Sequence, residues 1–190
     1  MLAALLALLP PAPPASAHEM QAAISDIDLV GGRVVLAMRA NLEAMIAGVG
    51  SGHDDTDESP VAAEYDALRA LPPEALEERF RAFAPELLDA VEMTAGGASV
   101  PLAVEGVSID PVGDLLLVRD TRITLTGVLP DGARTATIRM DPKLGDLIVR
   151  GTGENSAYGE FLQEGATSRP IPIVQGGMLD AVARFLGLGD

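Results

Sequence analysis

The sequence predicts a mainly β domain, an antiparallel β-sandwich of Ig-like kind, interrupted by a block of helices. Three observations predict it. Apolar and polar residues alternate with a period of two in residues 21–40 and again after residue 98. Turn signals separate the candidate strands at Gly31-Gly32, Asp110-Pro111, Pro130-Asp131-Gly132 and Asp141-Pro142. Between the two β-patterned regions the apolar spacing becomes that of helices.

The elements follow in order. Residues 21–30 and 33–40 form a hairpin about Gly31-Gly32. Asn41 caps a short helix over 41–47, which Gly48 ends. Ser59-Pro60 starts a second helix, with Ser as cap and Pro at the first helical position, and Val61, Tyr65 and Leu68 on one face. A longer helix over 74–91 buries Leu76, Phe80, Phe83 and Leu87, and Pro85 kinks or splits it. The helical insertion thus covers about 41–93. Further strands are expected at 99–104, 122–129, 135–140, 147–150 and 170–174. Pro111-Val112-Gly113-Asp114 reads as a tight turn that feeds the apolar run 115–118 into a buried strand. Residues 176–190 carry Met178, Leu179, Val182, Phe185 and Leu186 at helical spacing, a C-terminal amphipathic helix suited to a juxtamembrane position.

The chain begins with the pattern of an exported protein. Leu and Ala fill residues 2–9, prolines follow, and Ala15-Ser16-Ala17 forms a small-x-small cleavage site. The apolar run is far short of the roughly 20 residues of a membrane span. The expected organisation is a signal peptide over 1–17, a β domain over 18–175 and the C-terminal helix over 176–190. The destination is the periplasm or another extracytoplasmic, membrane-associated space.

Charge and composition exclude several functions. Thirteen basic residues face 28 acidic ones, a formal net charge of −15, so nucleic acid would be repelled. There is no Cys, hence no thiol nucleophile and no disulfide. No G-x-S-x-G, phosphate-binding loop or dinucleotide fingerprint occurs. There is no Trp to serve as a sugar platform beside the many carboxylates. A non-enzymatic role is expected.

The two histidines suggest metal ligation. Cleavage after Ala17 leaves His18 first, where its α-amino group and imidazole together chelate Cu(II) or Ni(II). His53 is the other imidazole, in a loop with Asp54, Asp55 and Asp57. Together they form a candidate site for one divalent transition metal ion, Ni, Co or Cu. The bland alternatives are a frayed terminus at His18 and a solvated helix start at His53.

Several stretches resemble the extracytoplasmic N-terminal region of HupE/UreJ-type membrane proteins. They are His18-Glu19, Asn41-Leu42-Glu43-Ala44, residues 55–60, residues 63–73 (with Tyr65-Asp66-Ala67-Leu68-Arg69), residues 80–85, Pro111-Val112-Gly113-Asp114, residues 129–132 and Pro170-Ile171-Pro172. The resemblance covers nearly the whole chain after residue 17. It implies a part in nickel or cobalt uptake, in a family whose members continue into transmembrane helices that handle the metal. The implied partner is a membrane protein, or a transmembrane portion outside this sequence.

Overall fold

A computed structural model describes residues 22–49, 61–115 and 117–175. The first two strands, β1 (Ala23–Val30) and β2 (Arg33–Ala40), form the expected hairpin. Gly31 and Gly32 both have positive φ, 62° and 77°, the conformation a tight two-residue turn requires and a Cβ would resist. The register pairs Leu29 with Val34 and Ile27 with Leu36, and all four are fully buried.

The helices come next. In α1 (Leu42–Ala47) the Asn41 side chain accepts from the Ala44 N–H, satisfying a helix-start donor as the sequence predicts. Helix α2 spans Ala62–Arg69. Helix α3 (Pro73–Ala90) starts with Pro at its first position, where a missing N–H costs nothing, and runs unbroken through Pro85. Its Leu76, Phe80, Phe83 and Leu87 are buried, the stripe the spacing predicts. The predicted start at Ser59-Pro60 lies outside the described residues.

The remaining strands are β3 (Val91–Ala95), β4 (Ala98–Ser99), β5 (Leu102–Ile109), β6 (Thr121–Val128), β7 (Thr135–Met140), β8 (Leu147–Gly151), β9 (Gly159–Leu162) and β10 (Ile171–Pro172). They make two open sheets. The first has six strands in the order β5-β6-β2-β1-β8-β9, and the second has four in the order β10-β7-β3-β4. One apolar core takes Ile27 and Leu36 from the first sheet, Met93 and Ile138 from the second, and Phe80 and Leu87 from α3. Among the described residues, no helix is long and apolar enough to cross a membrane.

Four expectations need correction. The first sheet is mixed, because β1 pairs with β8 in parallel, from Ala23↔Leu147 to Ile27↔Gly151. The hairpin covers one edge of β1, and β8 enters beside Ala23, whose N–H donates to the Asp146 carbonyl, so both strands run the same way. The long helix ends one residue early, and Val91 to Ala95 alternates buried and exposed as a strand. Strand β9 was not expected, nor the extension of β5 to Ile109. Finally, the described residues Leu115, Leu117 and Val118 form no buried strand. Ile109 already pairs with Thr121, and the Asp110 N–H closes onto the Asp120 carbonyl, so the intervening residues bow out as a loop. Leu115 is 48% exposed there and Leu117 67%.

The first sheet has two unlike ends. At one end lie the Gly31-Gly32 turn, the 129–132 turn, whose Leu129 N–H donates to the Gly32 carbonyl, and Val174, bridged to Val30. At the other lie Ala23, Ala40, Thr121, Ile109 and the helix α1 that follows Asn41. The segments read as signal peptide (1–17) and C-terminal helix (176–190) lie outside the described residues.

Candidate functional site

The predicted metal ligands His18, His53, Asp54, Asp55 and Asp57 all lie outside the described residues. Among the described residues, no group of three or more His, Cys, Asp or Glu side chains is arranged to hold a metal ion. The structure gathers a different set at the α1 end of the sheet: Asn41, Glu43, Tyr65, Arg69 and Arg119.

Glu43 is the centre. Helix α1 has only six residues, and Leu42, Glu43, Ala44, Met45 and Ala47 are all buried, so it has no solvated side on which to place a carboxylate. Glu43 is 1% exposed. Arg119 Nε stands 2.9 Å from its Oε1, with a side chain only 6% exposed. The N–H does not point along the line a hydrogen bond needs, so the contact is an ion pair, and neither carboxylate oxygen accepts a hydrogen bond among the described residues. Burial pushes the Glu43 carboxyl above its ordinary range, while its own backbone N–H and the guanidinium groups of Arg119 and Arg69 pull the other way.

Both arginines also bond to backbone carbonyls. Arg119 donates to the carbonyls of Leu71 and Arg69. Arg69 donates to the Leu117 carbonyl at 3.0 Å, and its guanidinium lies 5.2 Å from the centre of the Tyr65 ring. The Asn41 amide donates to the Tyr65 hydroxyl at 2.9 Å. Burial raises the Tyr65 phenol. These bonds join α1, the end of α2 and the 110–120 loop around one carboxylate.

Two clefts flank Arg119. One, of about 210 Å³, is lined by the buried Glu43, Arg69 and Arg119 and by Asp110, Asp114, Asp120, Leu115 and Leu117. The other, of about 190 Å³, takes Ala22, Asn41, Arg39 and Asp120. Asp120 is held by Arg39 and Arg122.

Residue-type reasoning singled out none of these buried charges. Glu43 stands alone among Leu42, Ala44, Met45, Ile46 and Ala47, and a lone acid in a short apolar helix is a readable signal of a buried carboxylate. Residues of three separate stretches, 41–44, 65–69 and 111–114, meet at this place. No protein-family model matches this sequence, nor does any curated protein.

Proposed function

We propose that this chain is an exported, extracytoplasmic accessory domain of HupE/UreJ type that collects a divalent transition metal ion for a membrane partner, with no catalysis of its own. In this reading the signal peptide is removed after Ala17, the two sheets are the faces of an Ig-like sandwich, and the ion is nickel, cobalt or copper. Its ligands are His18 and His53, with Asp54, Asp55 and Asp57 nearby.

One observation carries the reading: both segments that hold the histidines leave the fold at the same end. Ala22 lies in the cleft beside Asn41. The Val49 N–H donates to the Ala44 carbonyl of α1, and the Val61 carbonyl accepts from Tyr65, the residue bonded to Asn41. His18 is four residues before Ala22, and His53 is four residues after Val49. Four residues reach at most roughly 14 Å when extended, so each imidazole is tethered to the α1 end. Val174, near the last described residue, lies at the opposite end. In this reading the metal ligands belong to one pole of the domain, away from the end at which Val174 lies.

Calorimetric titration with Ni(II) or Cu(II) tests the proposal. Three proteins are compared: the form beginning at His18, a form with one residue added ahead of His18, and His53→Ala. The first should bind one ion more tightly than either of the others. Its binding should fade as pH falls through about 6.5, where a free imidazole protonates.

A second reading rests on the 110–120 loop. Val112, Leu115 and Leu117 are exposed together on a loop pinned from beneath by two buried arginines, a surface suited to a protein partner. Equal metal affinity in all three proteins would favour that reading, a scaffolding domain without metal.

A further inference from the structure

We propose that residues 176–190 fold back on the chain and lie as a helix along the outer face of the first sheet, over Val30, Val35 and Val128. The inference needs no metal ion and stands apart from the function proposed above.

The outer face is the one turned away from the core. Along β2 the side chains of Val34, Leu36 and Met38 are buried, so Val35 and Ala37 point the other way. Cross-strand pairing sets Thr126 beside Val35 and Val128 beside Arg33, with Val30 on the far side of Arg33. Ala103 extends the row beyond Thr126. This half of the face is mostly apolar, while the half nearer α1 carries Arg39, Arg122 and the Arg150–Asp26 pair. Val128 is 76% exposed, the most of any large apolar residue among those described, and Val30 is 40% exposed. Two open hollows of about 400 Å³ each meet at Val128. A sheet face with apolar side chains of this kind is where a further layer packs.

The chain itself leaves the described fold at this place. Val174 pairs in parallel with Val30, so the two side chains stand on one face. Its neighbour Ile173 is buried on the other side. The Gln175 amide donates to the Ala133 carbonyl, and Val174 and Gln175 line the same hollow as Val128. Gly176-Gly177 follows, which frees the backbone to turn. Met178, Leu179, Val182, Phe185 and Leu186 then recur at helical spacing, with Asp180 and Arg184 on the opposite side of that pattern. A helix over 176–190 is about 22 Å long, against about 26 Å for a strand of the length of β2.

Reach selects this surface over the other exposed apolar group, Leu115 and Leu117. Met178 is four residues past Val174, roughly 14 Å at full stretch. The 110–120 loop joins the opposite ends of β5 and β6, about 23 Å along the strands from Val128. The open side of α3 carries Glu78, Arg79, Arg81, Glu86 and Asp89 and offers no cover to an apolar stripe.

The test uses the full chain. It has no Cys, so Arg184→Cys supplies a single thiol for a nitroxide, opposite the apolar stripe. Backbone amide signals of residues 28–35, 103 and 124–128 should lose intensity and regain it when the nitroxide is reduced, while those of α3 and of 110–120 keep theirs. Two double variants should abolish the loss: Val30→Asp/Val128→Asp on the exposed face, and Leu179→Asp/Val182→Asp, which leaves every described strand and helix unchanged. A mixed sample, with the nitroxide on isotopically unlabelled chains and the amides observed on unmodified labelled ones, should show no loss. The proposal is overturned if the outer-face signals keep their intensity, if the mixed sample loses it equally, which would assign the face to a second copy, or if Leu179→Asp/Val182→Asp leaves the loss in place.

Discussion

Glu43 shows how one residue can be held against its own preference. A carboxylate loses its hydration when buried, and here that loss outweighs the attraction of Arg119 and Arg69. A raised carboxyl pKa in the folded state means that the fold takes up a proton more readily than the unfolded chain. The stability gained from that proton is fully present below the unfolded value near 4.5 and is lost as pH rises through the raised folded value. The charged groups around it are Arg119 and Arg69, with Asp110, Asp114 and Asp120 lining the same cleft and the Tyr65 phenol close by. Urea denaturation at a series of pH values, native against Glu43→Gln, should therefore show the native protein losing ground as pH rises from about 4.5. The opposite slope would mean that the ion pair with Arg119 dominates. The burial of Glu43 is legible in its apolar helix, but its partner is not. Arg119 lies far from Glu43 in sequence, and only the closure of β5 onto β6 brings it under the helix.

At the scale of elements, the legible parts are those whose cause is local. The Gly-Gly hairpin, the Asn41 cap and the apolar stripe of α3 are each written within a few residues. Phe80→Ala should cost about 3–5 kcal/mol in denaturant unfolding, since Phe80 is buried in the core shared with both sheets. A loss under about 1 kcal/mol would show that α3 is only loosely attached. The missed parts have distant causes. Strand β9 gives no alternating signal, because Phe161 is exposed and only Leu162 is buried; its place comes from pairing with β8. The run 115–118 is apolar enough for a core strand, yet Ile109 already pairs with Thr121, and Leu115 and Leu117 stand exposed in the loop between. The hydrophobic pattern predicts burial only where the topology supplies a second surface.

For the whole molecule, charge matters more than any single pair. With a formal net charge of −15 the folded chain repels itself. Pairs such as Arg39–Asp120 and Arg150–Asp26 are substantially exposed and contribute little individually. Raising salt from about 0.01 M to about 0.15 M shortens the screening length from roughly 30 Å to 8 Å. The thermal midpoint should then rise by roughly 2–4 °C, which corresponds to about 1 kcal/mol in a chain of this size. A fall measured by calorimetry would mean that the ion pairs outweigh the general repulsion.

The parallel pairing of β1 with β8 has a consequence in time. Asp26 and Arg150 meet across it, 124 residues apart in the chain. A ribosome makes the hairpin within the first forty residues, but the strand that covers its open side comes more than a hundred residues later. At about 5–20 residues per second, the newborn hairpin waits roughly 5–20 seconds with the backbone of β1 uncovered on that side. An uncovered strand edge is a template for pairing with another chain. The nascent protein is therefore most exposed to aggregation early in its synthesis, and whatever escorts it must shield residues 23–27 until β8 arrives.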